Sequence, residues 1–226
     1  MSDNNTDWAR ANSDCPACLC DNRGIRAFTE DRIIAMEWAF FQMVHNVGGR
    51  ANCQDMPETF GIMRKSQFTI WTDDMLLSYY EDLKAAEYEG RNPMTEKYGY
   101  MMESTHPDEF ALIKDALPTI PQAKRRLIEQ IIAIQIPWAE SMSGSYPRLA
   151  GRGRVIRTSQ DSPGTTSIET YSRGELATYS ERTLELMLEH FENAQALGHN
   201  LQEDVYASIA RSYGYQSLAD AEASLA

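Results

Sequence analysis

The sequence predicts an all-α fold, an irregular multi-helix bundle with one long basic loop. Apolar residues recur at helical spacing through most of the chain, and glycines follow these stretches. Proline or acidic residues occur near the starts of many of them. A half-buried sheet would instead show a strict alternation of apolar and polar residues.

The first predicted helix begins after Thr29 and ends at Gly48-Gly49. Thr29 suits the N-cap position, and Glu30 and Asp31 suit the positive end of the helix dipole. Apolar side chains cover most of the circumference of this helix, so we expect it to lie centrally in the bundle.

Further helices follow at the same period. Pro57 and Pro107 fit first turns, where a missing N–H is tolerated, and Pro137 is expected to kink or end the long helix that contains it. The predicted stretches are 57–68, 73–89, 96–104, 107–117, 121–142, 180–197, 201–213 and one from 217, with Gly90, Gly198 and Gly214 as stops.

Residues 143–167 break the helical period. They contain four Arg and one Asp, in a chain whose net charge is −12. We expect an irregular basic loop. A short β-hairpin over 153–168 is the alternative for part of it, because Val155-Ile156 suits a strand.

Size and composition predict one helical domain over 28–226, preceded by a flexible, polar arm over 1–27 that contains Cys15, Cys18 and Cys20. The negative charge argues against binding to nucleic acid or anionic lipid. No stretch is long and apolar enough to span a membrane, and the N-terminal segment lacks the apolar core of a signal peptide. We therefore expect a soluble, cytoplasmic protein.

Five runs of sequence are distinctive: WAFFQMVHNVGGRANCQ (38–54), MRKSQFTIW (63–71), GRNPMTEKYGYMM (90–102), TSIETYSRGELATYS (166–180) and the final GYQSLADAEA. Together they resemble a bacterial family catalogued as domain of unknown function 4125. The resemblance extends over residues 28–224. It implies a soluble bacterial protein, and it implies no activity, substrate or catalytic residue.

The basic loop is the first candidate site. Arg148, Arg152, Arg154 and Arg157 lie close together, with glycines between them. A guanidinium group can bind a carboxylate or phosphate through two parallel hydrogen bonds, and glycines allow a close backbone approach. We interpret the loop as an anion site. The alternative is a surface loop whose arginines pair with the protein's own carboxylates.

Glu37 lies on the apolar side of the first predicted helix. A buried carboxylate must either pair with an arginine or keep its proton with a raised pKa, and the second state suits proton transfer. His45 flanks the same side and is a second candidate proton carrier. The structural alternatives are an ion pair of Glu37 with Arg50 or Arg64 and a hydrogen-bonded core histidine.

Two polar segments complete the predicted site. The glycine pair before Arg50 permits a sharp turn, and the TSIETYSRGE run after the basic loop offers many hydroxyl groups. Ordinary turn and capping chemistry is the alternative for both segments. The predicted catalytic residues are Glu37, His45 and Tyr171, and the predicted substrate-binding residues are Arg50, Gln54, Arg64, Arg152, Arg154, Thr166, Ser167 and Arg173.

Metal binding is retained as an alternative, and no cofactor is predicted. Cys15, Cys18 and Cys20 offer three soft ligands but lack the usual paired spacing of zinc sites. Glu103 and His106 form one Glu-x-x-His motif, whereas helical two-iron sites normally use two such motifs.

These residues predict a small-molecule enzyme that acts on an anionic metabolite, such as an amino acid or a phosphorylated compound. The chemistry would be general acid–base catalysis of the lyase or hydrolase type, in specialised metabolism. One alternative is a non-enzymatic ligand-binding or accessory protein, and another is a metal-dependent, oxidase-like helical enzyme. The expected partner is a small anion rather than nucleic acid or membrane, and a homodimer is left open.

Overall fold

The computed structural model describes residues 22–45 and 49–225, and this part of the chain contains eleven α-helices and no strand. The prediction of an all-α, multi-helix fold is confirmed. None of these helices combines the length and the apolar character that crossing a membrane requires. The helices are α1 Asn22–Gln42, α2 Pro57–Phe68, α3 Asp73–Tyr88, α4 Pro93–Thr105, α5 Pro107–Ile113, α6 Gln122–Ser145, α7 Pro147–Ala150, α8 Ile168–Leu176, α9 Glu181–Ala196, α10 Leu201–Ser212 and α11 Leu218–Ser224.

Local capping fixes several helix ends where the sequence predicted them. At the start of α3, the Thr72 hydroxyl accepts a hydrogen bond from the Met75 N–H at 3.2 Å. Gly90 and Gly214 follow α3 and α10 with φ of +70° and +88°. This left-handed conformation reverses the chain at a helix end, and glycine adopts it without a steric penalty.

A main apolar core joins most of the helices, and a second, smaller cluster of Met142, Ala210, Leu218 and Ala221 joins the end of α6 to α10 and α11. α6 packs against α8, α9 and α10, while α1 packs against α2, α3 and α4. Burying each large side chain of this core stabilises the fold by about 1.5–3 kcal/mol. The completely buried core residues include Ile33 of α1, Phe68 of α2, Met75 of α3, Ile131 of α6 and Leu184 of α9.

Helix α1 differs from its prediction at both ends. It begins at Asn22, and the Thr29 hydroxyl donates to the Ile25 carbonyl inside the helix instead of capping it. It ends at Gln42, because the Gln54 side-chain amide binds the carbonyl oxygens of Phe41 and Val44. The predicted stop at Gly48 lies outside the described residues.

The predicted loop begins later than expected. α6 continues through Pro137 to Ser145, because buried residues on both sides of the proline hold it against the bundle. α7 follows, and residues 151–167 are irregular apart from a short 3-10 turn. Instead of a β-hairpin, a single antiparallel bridge forms between Ser162 and Thr165.

Asp161 anchors this loop. Its carboxylate accepts hydrogen bonds from the hydroxyl groups of Ser104 and Thr170 and from the Ser167 N–H. These contacts hold the loop to α4 and to the start of α8.

Candidate functional site

A buried ion pair joins α1 to α2. Glu37 is 0% exposed, and Arg64 donates from Nη2 to Oε1 at 2.6 Å and from Nε to Oε2 at 2.7 Å. The Tyr79 hydroxyl also donates to Oε1, at 2.7 Å. Both carboxylate oxygens are therefore occupied. This geometry is that of the structural ion pair, the alternative to a proton carrier, with Arg64 as the partner.

The ion pair extends to α4 and α8. Arg64 Nη1 donates to Glu175 Oε1 at 2.9 Å, and Lys97 Nζ donates to Glu175 Oε2 at 2.8 Å. The Tyr179 hydroxyl donates to Glu175 Oε1 at 2.9 Å. Two cations and two anions thus balance one another in the interior. Glu37, Arg64, Lys97 and Glu175 are called the charge network below.

The charge network keeps Glu175, Lys97 and Arg64 ionised. Burial raises the pKa of Glu175, but Lys97 and Arg64 lower it further, to about 2. Burial lowers the pKa of Lys97, and Glu175 raises it above its ordinary value. Burial also lowers the pKa of Arg64, and Glu37 and Glu175 raise it well above its ordinary value. A charge left without its partner here costs about 3–5 kcal/mol.

Close packing of α4 and α8 places Lys97 opposite Glu175. At Gly174, an added Cβ atom would lie 2.9 Å from the Lys97 carbonyl oxygen and 2.8 Å from Met101 Cγ. Both distances are shorter than ordinary van der Waals contact. The absence of a side chain at Gly174 therefore permits the helix approach on which the charge network depends.

A cavity of about 880 Å³ lies beside the charge network. Its volume is in the range of small-molecule sites. Arg64, Lys97 and Glu175 line it, whereas Glu37 does not. Most of the wall is aromatic or aliphatic, and it includes Phe41, Phe60, Trp71, Met187, Phe191 and Ile209.

Two loop arginines line the same cavity. Arg152 and Arg154 are exposed, and neither has a carboxylate partner among the described residues. The Arg154 guanidinium carbon lies 4.6 Å from the centre of the Tyr171 ring. Arg157 of the same loop does not line the cavity, and it pairs with Glu140 at 2.7 Å. Arg152 and Arg154 are therefore available to an anion.

Tyr171 lies between the charge network and the loop arginines. Lys97 Nζ is 3.7 Å from the centre of its ring, and Arg154 contacts the same ring. Tyr171 lines the cavity, and within the described part of the chain no hydrogen bond involves its hydroxyl group. A phenol hydroxyl group can donate and accept a hydrogen bond, so Tyr171 can contact a polar group of a ligand in the cavity.

Three predicted site residues near the end of α1 do not line the cavity. His45 is exposed and follows the helix instead of lying on its apolar side. Arg50 is also exposed, and its Nε donates to Asp55 at 2.8 Å. Gln54 is 2% exposed, and its amide donates to the Phe41 carbonyl at 2.9 Å. Gln54 and Arg50 thus hold the turn after α1.

Three residues of the polar run after the loop also lie outside the cavity wall. The Thr166 carbonyl accepts a hydrogen bond from Arg154 Nη1 at 3.2 Å. Ser167 is completely buried and caps α8, as ordinary capping chemistry predicts. Arg173 pairs with Glu129 at 2.8 Å on the outer side of α8. These residues support the loop and helix that carry Arg154 and Tyr171.

The described residues offer no side-chain arrangement that supports the metal-binding alternatives. Within residues 22–45 and 49–225, no group of three or more His, Cys, Asp or Glu side chains is placed to hold a metal ion. His106 Nδ1 lies 3.0 Å from the Thr105 hydroxyl, and Glu103 is exposed. The cysteines at 15, 18 and 20 lie outside the described residues.

The predicted site did not include Lys97 or Gln135, which both line the cavity. Lys97 contacts Glu175 across 78 positions, and no local pattern predicts that contact. Gln135 does carry a local signal, because it is a polar residue on the inward side of a long apolar helix. Glu175 belongs to the TSIETYSRGE run, but the sequence did not distinguish it from its neighbours.

The fold and the site define an all-α protein with a ligand-sized cavity beside a buried charge network. The chain belongs to the family described as Protein of unknown function (DUF4125), whose model matches residues 29–223. This match confirms the resemblance carried by the sequence runs. Neither a curated protein nor a solved structure matches the chain.

Proposed function

We propose that the chain binds a small amphipathic anion in the cavity. The observation that carries the proposal is the pair Arg152 and Arg154, which line the cavity without a carboxylate partner among the described residues. The whole chain has a net charge of −12, so ample carboxylates exist to pair them. A carboxylate or phosphate of a ligand would supply the missing counter-charge.

The other cations of the wall are less suited to an anion. Arg64 already donates through Nε, Nη1 and Nη2, and Lys97 is held by Glu175 and the Tyr171 ring. An anion at either group would compete with a buried carboxylate. This favours Arg152 and Arg154, rather than Arg64, as the anion-binding groups.

The wall composition favours a ligand with an apolar body. Phe41, Phe60, Trp71 and Phe191 offer ring faces and edges, and Met187 offers a polarisable thioether. A small, fully polar metabolite would leave most of this surface unfilled. An aromatic or long aliphatic carboxylate or phosphate matches the wall better than a small amino acid or a small, polar phosphorylated compound, the ligand classes expected from the sequence.

Calorimetric titration with phenylacetate, biphenyl-4-carboxylate and decanoate tests the proposal. For at least one of them, we expect Arg152→Ala or Arg154→Ala to weaken binding about tenfold or more, the effect of losing a charge-assisted hydrogen bond. Arg157→Ala is the matched control, because it removes one positive charge from the same loop outside the cavity. Equal weakening by Arg157→Ala, or no binding of any probe, would contradict the proposal.

A proton-transfer enzyme is the second candidate function. It is favoured by Tyr171, whose ring contacts Lys97 and Arg154 and whose hydroxyl group is free among the described residues. In this reaction, Tyr171 would exchange a proton with the bound anion. Tyr171→Phe should then abolish turnover of a substrate while the substrate still binds. If Tyr171→Phe leaves turnover intact, Tyr171 is part of the binding wall alone.

A small molecule remains the proposed partner. The net charge of −12 disfavours nucleic acid and anionic lipid, whose binding depends on released counterions. The cytoplasmic location expected from the sequence stays a prediction.

A further inference from the structure

The cavity contains a side-chain amide without a partner. Gln135 lies on α6 between the buried residues Ile134 and Ile136, and it lines the cavity. Its Oε1 atom is buried and accepts no hydrogen bond from any residue that the structure describes. Buried polar groups in folded proteins nearly always have a partner, and an unpaired one needs a specific explanation.

We propose that Gln135 is the inner recognition group of the ligand site, and that the ligand carries a hydroxyl group at the end opposite its anionic group. This proposal rests on the proposed function, because it requires that an anionic ligand occupies the cavity. The ligand class is then an ω-hydroxylated carboxylate or phosphate with an apolar body.

The positions of the polar groups support a ligand of this shape. Arg152 and Arg154 are exposed loop residues, whereas Gln135 Oε1 is buried on a core helix. A ligand that satisfies both must extend from the exposed rim into the interior. Its apolar body then contacts the apolar part of the cavity wall, which includes Met187 and Phe191.

A hydroxyl group is the best match for the Gln135 amide. An amide offers an acceptor oxygen and a donor nitrogen, and a hydroxyl group can use either of them. A second charged group at this position would be desolvated without compensation. The two cations Arg64 and Lys97, which line the same cavity, are already neutralised by Glu37 and Glu175.

The experiment compares three matched pairs of probes. The pairs are phenylacetate with 4-hydroxyphenylacetate, biphenyl-4-carboxylate with 4′-hydroxybiphenyl-4-carboxylate, and decanoate with 10-hydroxydecanoate. For the pair of fitting length, we expect the wild-type protein to bind the hydroxylated member about fivefold more tightly, which corresponds to one net hydrogen bond. In Gln135→Met, this ratio should fall to one. Gln130→Met changes an exposed residue of the same helix and should keep the ratio.

The unfolding temperature of the ligand-free protein provides a second test. Gln135→Met removes an unpaired amide from an apolar surrounding, so the ligand-free variant should unfold at the same or a higher temperature than the wild-type protein. A clear decrease would assign Gln135 a structural role and overturn the proposal.

A wild-type ratio of one for every pair overturns the assignment of Gln135 and leaves the anion site intact. A ratio that persists in Gln135→Met assigns the hydroxyl group to another residue and also overturns it. If no carboxylate binds, the proposed function itself fails, and this outcome is distinct from equal binding within each pair.

Discussion

Lys97 Nζ lies 3.7 Å from the centre of the Tyr171 ring, on the boundary between the charge network and the cavity. The same ammonium group donates to Glu175 at 2.8 Å. The cavity wall and the stabilising interior charges therefore share a residue. A bound ligand that displaced Tyr171 would also change the environment of Lys97, so binding and stability should be coupled at this point.

Glu37→Gln should destabilise the protein by about 3–5 kcal/mol. The substitution removes the carboxylate that accepts two hydrogen bonds from the buried guanidinium of Arg64. Urea denaturation measures the change. Glu81→Gln is the control, because Glu81 forms an exposed pair with Lys84 that contributes about 0–1 kcal/mol. A Glu37→Gln variant of unchanged stability that loses turnover would instead restore Glu37 as a proton carrier.

At acidic pH, the free energy of unfolding should depend on the protonation of Glu175. The pKa of Glu175 is about 2 in the folded protein, below its ordinary value of 4.5, so the unfolded chain takes up the proton first as the pH falls. The stabilisation is complete above pH 4.5 and is lost as the pH approaches 2.

Glu175→Gln cannot titrate at this position. Its deficit in unfolding free energy relative to the wild-type protein should therefore be largest at neutral pH and should narrow between pH 4.5 and 2. Denaturant unfolding across this range measures the difference. A deficit that stays constant with pH would show that Glu175 carries no depressed pKa.

Gly174→Ala should destabilise the protein by about 1–3 kcal/mol, the usual cost of overpacking an interior. The new methyl group would lie 2.9 Å from the Lys97 carbonyl oxygen, which is backbone and yields little. Gly144→Ala, near the end of α6, has no neighbour within 4 Å and should stabilise by about 0.5–1 kcal/mol. Thermal unfolding of both variants distinguishes the cost of overpacking at Gly174 from the gain in helix propensity when glycine is replaced by alanine at Gly144.

Gln54→Ala should cost about 1–3 kcal/mol, because the carbonyl oxygens of Phe41 and Val44 lose their shared donor. Arg50→Ala should cost less than about 1 kcal/mol, since its pair with Asp55 is exposed. Neither variant should change the affinity for biphenyl-4-carboxylate. A loss of affinity in Arg50→Ala at unchanged stability would return Arg50 to the binding site.

The sequence allowed most of the helices to be predicted, because periodicity and capping are local, but it did not predict α7 or α8. Thr72 and Gly90 mark the start and the end of α3, and the features that place them there lie within a few residues of the helix ends. The ends of α1 were not predictable in this way. The residue that binds its last carbonyl groups, Gln54, belongs to the next turn and gives no signal within the helix.

The candidate site was only partly predictable for the same reason. A polar residue on an apolar helix side identified Glu37, and a cluster of arginines identified Arg152 and Arg154. The choice between a proton carrier and an ion pair depends on where α2 places Arg64, which is a tertiary contact. The role of Lys97 was not predictable, because its contact with Glu175 depends on the packing of α4 against α8.

A crystal structure of the protein with biphenyl-4-carboxylate would show directly where an anion binds. We expect the ring system in the cavity and the carboxylate within about 3.2 Å of a guanidinium nitrogen of Arg152 or Arg154. We also expect an intact Arg64–Glu37 pair. A carboxylate bound to Arg64 or Lys97 through an opened charge network, or a ligand bound outside the cavity, would contradict the proposed function.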